Sequence, residues 1–177
     1  MKTILVTGGA GFIGGNFVLD VVGQGGVRVV NLDALTYAGN LDTLAALRGR
    51  DEHVFVRGDI GERARVSALL AEHRPSAIVN FAAESHVDRS IDGPAAFVRT
   101  NMTGTYVLLD AARAYWAGLS GPKRNGFRFH HISTDEVFGA LGPDDPPFTK
   151  NTAYDPRSPY SATKAASDHL VRAWRHT

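Results

Sequence analysis

A strand, a glycine turn and the start of a helix occupy residues 3–15, and no other stretch limits the fold as severely. Ile4, Leu5 and Val6 form a short continuous apolar run. Gly8, Gly11 and Gly14 follow at every third position, before Phe17, Val18 and Leu19 resume at helical spacing. In such a turn the first glycine permits the bend, the second lets a pyrophosphate approach the backbone, and the third allows close packing of helix on strand. The helix N-terminus adds amide donors and partial positive charge. Phe12 and Ile13, between the second and third glycines, belong to the same expected contact surface. Glycines also build turns that hold nothing, so the deciding feature is an acid about twenty positions on, ending a second strand. Asp33 closes the run Val27-Arg28-Val29-Val30-Asn31-Leu32, where its carboxylate can accept hydrogen bonds from the adenine-ribose hydroxyls of NAD. Ala34 and Leu35 follow without an arginine, so a 2′-phosphate would meet a carboxylate and no counter-charge, which favours NAD over NADP.

Strand-like apolar runs alternate with helical patterns along the rest of the chain, which predicts an α/β, Rossmann-like doubly wound parallel sheet with helices on both faces. After a turn-rich stretch at Thr36 to Asn40, containing Gly39, a short helical pattern runs through Leu41, Leu44 and Leu47. A third strand at His53 to Arg57 ends at Gly58-Asp59-Ile60. There the Asp59 carboxylate either faces the adenine or caps a helix starting near Glu62, and the two roles are compatible. That helix reaches His73, Pro75 stops it, and Ala77 to Phe81 reads as the fourth strand. The longest helical pattern spans 94–116 and is apolar all round, so it needs a second partner besides its own sheet, and a second subunit would serve. Residues 118–126 read as a loop, Phe127 to Ile132 as a fifth strand, and 139–157 as a long loop of the kind that carries function. A last helix covers 158–175, with Arg172 and Arg175 suited to its C-terminal dipole.

Charge excludes some classes of partner. With 19 basic and 18 acidic residues interspersed, and a net charge of +1, there is no basic stripe to neutralise a nucleic-acid backbone. The glycines at 8, 9, 11, 14 and 15 would break a signal helix, and no apolar run reaches membrane-spanning length. The chain has no cysteine, which suits a reducing cytoplasm and leaves no thiolate metal site. His130 and His131 are adjacent on a strand and point to opposite faces, so they cannot share an ion, and no metal is expected.

Chemistry concentrates near the end. Tyr160 and Lys164 are four apart on the last helix and share one face. Such a pair is often a snorkelling surface couple. An ammonium beside a phenol also stabilises phenolate, which would let Tyr160 take a proton from a substrate hydroxyl near neutral pH. Asp135 and Glu136, at the carboxyl end of the fifth strand, are either a polar turn or an acid and a base. An enzyme that only oxidises an alcohol needs the tyrosine alone. One that also eliminates water needs an acid for the leaving hydroxyl and a base for a carbon-bound proton.

Together with the glycine turn, Tyr160 and Lys164 resemble the Tyr-x-x-x-Lys pair of the extended short-chain dehydrogenase/reductase superfamily, with Thr134 or its neighbour Ser133 as the accompanying hydroxyl. The stretch from Ser133 to Gly139, with Ala83 to Ser90 upstream and Ser158 to Lys164 downstream, closely resembles the dTDP-glucose 4,6-dehydratases. Epimerases of the same branch usually lack the Asp-Glu pair. The resemblance implies NAD-dependent conversion of dTDP-glucose to dTDP-4-keto-6-deoxyglucose. Tyr160 would take the proton of the sugar 4-hydroxyl as hydride leaves C4 for NAD, Glu136 would remove the C5 hydrogen, and Asp135 would protonate the departing 6-hydroxyl. Thr134 would hydrogen-bond the 4-oxygen, and Ser85 would contact the sugar. Phe81, Ala82 and Ala83 would line the cofactor cleft, and helices 94–116 and 158–175 would form a homodimer interface in a cytoplasmic enzyme of dTDP-rhamnose biosynthesis. On length, the resemblance implies that residues 1–177 are an incomplete NAD-binding domain without the family's C-terminal substrate domain, which leaves two alternatives to an active dehydratase: an NAD-binding module without catalysis, or a 4-epimerase.

Overall fold

The computed structural model describes residues 1–176. Strands β1 (Lys2–Thr7), β2 (Val27–Asp33), β3 (His53–Arg57), β4 (Ala77–Asn80) and β5 (Arg128–His131) form one parallel sheet in the order β3-β2-β1-β4-β5. The helices are α1 (Phe12–Gln24), α2 (Arg63–His73), α3 (Val87–Asp92), α4 (Pro94–Phe97), α5 (Thr105–Ala117), α6 (Gly121–Gly126) and α7 (Pro159–Arg175). The chain thus builds the expected doubly wound sheet. Its strand order reverses between β1 and β4, which opens a crevice at their carboxyl ends.

The continuous apolar runs of the strands divide between two faces. Leu5, Val30, Leu32 and Ile78 pack with Val66, Leu69 and Leu70 of α2 and with Leu108, Ala111 and Ala112 of α5. Their chain neighbours Val6, Val29 and Val79 point the other way, against Val18 and Val22 of α1 and Leu44 and Leu47 of a 3-10 helix, Leu41–Leu47. A period of two inside an unbroken apolar run is what a strand buried on both sides requires.

Three segments depart from expectation. The long helix starts at Pro94, but Val98–Gly104 widens into a π-helical segment between α4 and α5, with right-handed helical torsions kept at both joints. Within the chain α5 packs on α2 and on α7, and α7 also packs on the π segment. Residues 121–126 form the short α6 instead of open loop, held by the Trp116 indole N–H donating to the Arg124 carbonyl at 3.1 Å, with the Arg124 guanidinium stacked on the ring. Residues 87–92, unassigned from sequence, form α3.

The long stretch after β5 has no regular element beyond a 3-10 turn, Asp135–Phe138, yet it is tied down. The Asp155 N–H donates to the Val137 carbonyl at 3.0 Å, and Phe138 packs against Phe148 and Tyr154. Helix α7 then opens on a reciprocal cap: the Ser158 hydroxyl accepts from the Ser161 N–H and the Ser161 hydroxyl from the Ser158 N–H, each at 3.0 Å, with Pro159 in the first turn.

Candidate active site

A cleft of about 410 Å³ lies over the carboxyl ends of β1, β2 and β4. Gly8 bends the chain with φ of 70°, and a Cβ there would fall 2.6 Å from the Ala82 nitrogen. A Cβ on Gly14 would fall 2.3 Å from the Gly8 carbonyl oxygen. All three glycines line the cleft, but Gly11 differs in its room: its Cβ would meet only the Gly8 oxygen, at 3.4 Å. Two glycines therefore serve packing, and the middle one keeps backbone open for a group as close as a pyrophosphate. Phe12 and Ile13 stand at the same wall, 81% and 66% exposed.

Asp33 is nearly buried and is already engaged. One carboxylate oxygen accepts the Ala10 N–H and the other the Leu35 N–H, both at 2.8 Å, so it ties the glycine turn to the loop after β2. Each oxygen keeps acceptor capacity toward the cleft that Asp33 lines. Leu35 supplies that backbone donor from a left-handed conformation, φ 53°, while Thr36 and Gly39 provide the wall itself. Asp59 and Ile60 line the cleft wall beyond β3. The Asp59 carboxylate accepts the Gly61 N–H at 2.7 Å, so it caps the turn before α2, which starts one residue later than Glu62. Phe81, Ala82, Ala83 and Ser85 complete the wall from the segment after β4.

Tyr160 and Lys164 enter the cleft from the first turns of α7, 8% and 4% exposed. Burial pushes the Tyr160 phenol above its ordinary pKa. The Thr134 hydroxyl beside it opposes this, and the Glu136 and Asp135 charges add to it. The expected depression is therefore not found: a phenolate here would be desolvated and face two carboxylates. Lys164 is itself depressed to about 8, by burial against the opposing pull of Asp168, and its Nζ donates to the Ile132 carbonyl at 2.6 Å. Thr134 caps the 3-10 turn, accepting the Glu136 N–H at 3.3 Å, and so sets Asp135 and Glu136 beside the phenol. All five candidate catalytic side chains are thus brought together, although Thr134, Asp135 and Glu136 reach the cleft through Tyr160 and do not form its wall.

Sequence reasoning missed the polar framework behind the site. Asn101, in the π segment and 1% exposed, accepts the Glu84 N–H and donates to the Glu84 carbonyl, both at 2.9 Å, and donates to Thr163 Oγ1 at 3.0 Å. The Asn101 carbonyl accepts the Ser167 hydroxyl at 2.6 Å. This one residue locks the segment after β4 to α7. Ser90 of α3 accepts the Tyr160 N–H at 3.1 Å. Under the sheet end, Thr7 donates to Asn80 Oδ1, and the Asn80 amide donates to His131 Nδ1 at 3.0 Å. Burial holds His131 near pKa 4 and neutral. The only sequence signal for these groups was polarity at helix and strand positions that the pattern assigns to the interior.

The model of the GDP-mannose 4,6 dehydratase family matches residues 5–177. The dTDP-glucose 4,6-dehydratase of Xanthomonas campestris pv. campestris (strain B100) is 65% identical over 177 residues, all of this chain and 50% of that protein. The dTDP-glucose 4,6-dehydratase 1 of Escherichia coli (strain K12) is 56% identical, over 98% of this chain and 50% of that protein. Among solved structures, dTDP-glucose 4,6-dehydratase from Streptomyces venezuelae with NAD and TYD bound superposes with a TM-score of 0.88 at 41% identity, covering 99% of this chain and 52% of that one. UDP-glucose 4-epimerase from Brucella ovis in complex with NAD gives 0.82 at 28% identity, covering 100% of this chain and 49% of that one. The chain spans about half the length of the curated relatives it matches.

Proposed function

The chain belongs to the GDP-mannose 4,6 dehydratase family, and from that premise we propose that it carries the NAD site and the acid and base groups of a dTDP-glucose 4,6-dehydratase. The observation that carries this reading is the meeting of Thr134, Asp135 and Glu136 with Tyr160 at the cleft wall beside Lys164. A 4-epimerase shares the fold but has no use for two further carboxyl groups beside the phenol. Residues 1–177 correspond in this reading to the cofactor-binding part of the enzyme.

The glycine turn holds the pyrophosphate through Gly11 and the N-terminus of α1, and Asp33 receives the ribose hydroxyls. When bound, NAD would supply the hydride chemistry at the sugar, held in the cleft by Gly11, Asp33, Tyr160 and Lys164. Tyr160 accepts the 4-hydroxyl proton, with the Thr134 hydroxyl oriented on the same oxygen. Lys164 stays cationic below about pH 8 and so keeps one fixed positive charge at the cleft. The 4-ketone acidifies the C5 hydrogen, Glu136 removes it, Asp135 gives a proton to the 6-hydroxyl as it leaves as water, and Glu136 returns its proton to C5 as C6 is reduced. Ser85 contacts the sugar.

The reading extends to a homodimer through helices 94–116 and 158–175, and to a cytoplasmic place in dTDP-rhamnose biosynthesis, where nucleotide sugars and NAD are at hand. The test is an assay with dTDP-glucose and NAD, following the alkali-induced ultraviolet absorbance of a 4-keto-6-deoxy sugar, alongside calorimetry of NAD binding. Product that disappears in Glu136→Gln while NAD affinity is kept supports the dehydratase. A C4-inverted sugar would replace it with the epimerase, and NAD binding without product would leave a cofactor-binding unit.

A further inference from the structure

Asp168 takes no part in the chemistry above, yet three segments of the chain converge on it. Its side chain is 11% exposed. Oδ2 accepts the Ser133 hydroxyl at 2.6 Å and the Tyr154 hydroxyl at 2.9 Å, and Oδ1 lies 3.7 Å from His131 Nε2. Ser133 directly precedes Thr134 on the strand end, and Tyr154 belongs to the closing residues of the long loop. A carboxylate this far from water needs a counter-charge as well as donors.

Two cations flank it on α7, one helical turn either way, and the buried one, Lys164, donates to the carbonyl of Ile132, next to the Ser133 that donates to Asp168. His131, from β5, is neutral: burial holds it near 4, and its Nδ1 is occupied by the Asn80 amide. Arg172, on α7, lies over the Tyr154 ring at 5.6 Å from its centroid. Tyr154 and Tyr160 are phenols raised above their ordinary range by burial, Asp135 and Glu136 carry the same sign as Asp168, and the π segment presents the uncharged Asn101 to α7. Lys164 is one helical turn away on the same face and is 4% exposed. The pull of Asp168 is what opposes burial at that ammonium.

We propose that Asp168 is a positioning residue: its carboxylate is the counter-charge of Lys164, and it pins the strand end bearing Thr134, Asp135 and Glu136, together with the end of the long loop, against α7. The charge and the pin are one device. Two hydroxyls fix where the carboxylate stands, and the carboxylate fixes where the strand end and the ammonium stand. The inference rests on reading Lys164 as the cofactor-side cation, and its test does not depend on turnover.

Four lysines, at 2, 123, 150 and 164, make the ε-carbon of Lys164 assignable by nuclear magnetic resonance of ¹³C-lysine protein against Lys164→Met. The Lys164 midpoint, near 8 in the parent, falls by about one pH unit or more in Asp168→Asn. Asp168→Glu restores it. An unchanged midpoint in a folded Asp168→Asn protein overturns the proposal. Should Asp168→Asn fail to fold, the double variant Ser133→Ala, Tyr154→Phe removes the two hydroxyls that fix the carboxylate, and the Lys164 midpoint falls from its parent value. A Lys164 midpoint unmoved in that folded variant overturns the proposal equally. Calorimetry of NAD on the parent separates the two readings: Lys164 titrating as stated without NAD binding removes the cofactor assignment and leaves Asp168 as the partner of Lys164.

Discussion

Gly11 and Gly14 are three residues apart and do different work. At Gly14 a methyl group would press into the Gly8 carbonyl at 2.3 Å, backbone against backbone, with nothing flexible to yield. Gly14→Ala is expected to cost about 1–3 kcal/mol of stability by urea denaturation and to lose NAD binding. At Gly11 the same methyl finds ordinary contact at 3.4 Å, so Gly11→Ala should unfold at the parent's urea midpoint yet bind NAD at least tenfold more weakly by calorimetry. Equal loss of stability in both would mean that the middle glycine is packed and not kept open. The spacing of the glycines was legible in the sequence because strand, turn and helix start follow one another along the chain, whereas the clash of a Gly8 side chain with Ala82 comes only from folding. The role of Asp33 was half legible: its place at the strand end follows from pattern, but its two backbone donors, Ala10 and Leu35, come from a turn and a loop that only folding brings to it.

At the scale of elements, the helix that carries Phe97 to Ala117 shows what periodicity conveys and what it omits. An all-round apolar helix announces a partner besides its own sheet, and within the chain it meets α2 and α7. The π segment was not announced, because a wide turn costs one residue of register and leaves the apolar pattern on both sides intact. What it provides is a position from which Asn101 reaches the Glu84 backbone and Thr163 at once. Apolar groups remain exposed here: Tyr106 of α5 is 45% exposed and stands edge-on to Trp174 of α7, and Val98 of the π segment is 44% exposed. If this surface is the dimer interface, Tyr106→Glu should shift the sedimentation coefficient to that of a monomer at concentrations where the parent is dimeric. A monomeric parent would sink that assignment.

Across the whole molecule, the sheet places a neutral histidine beneath the site and makes the fold sensitive to acid. His131 has its pKa held near 4 in the folded chain, against 6.5 ordinarily. Between these values the unfolded chain binds a proton that the folded chain refuses, so stability falls as pH drops from 6.5 toward 4, by roughly 3 kcal/mol at most from this residue. The stability of the parent minus that of His131→Gln, from urea curves at each pH, should shrink by about that amount over the window; a constant difference would show that His131 charges freely in the fold. The sequence by itself determined the parallel sheet, the glycine turn with its acid, and the Tyr160 and Lys164 face, because strand burial, turn sterics and helical spacing are local properties of a chain. Tertiary structure alone decided the electrostatics. Whether a phenol is raised or lowered, whether a histidine is neutral, and which carboxylate faces which ammonium depend on burial and on neighbours distant in sequence, such as Ser133 and Tyr154 meeting Asp168, and no periodicity encodes those distances.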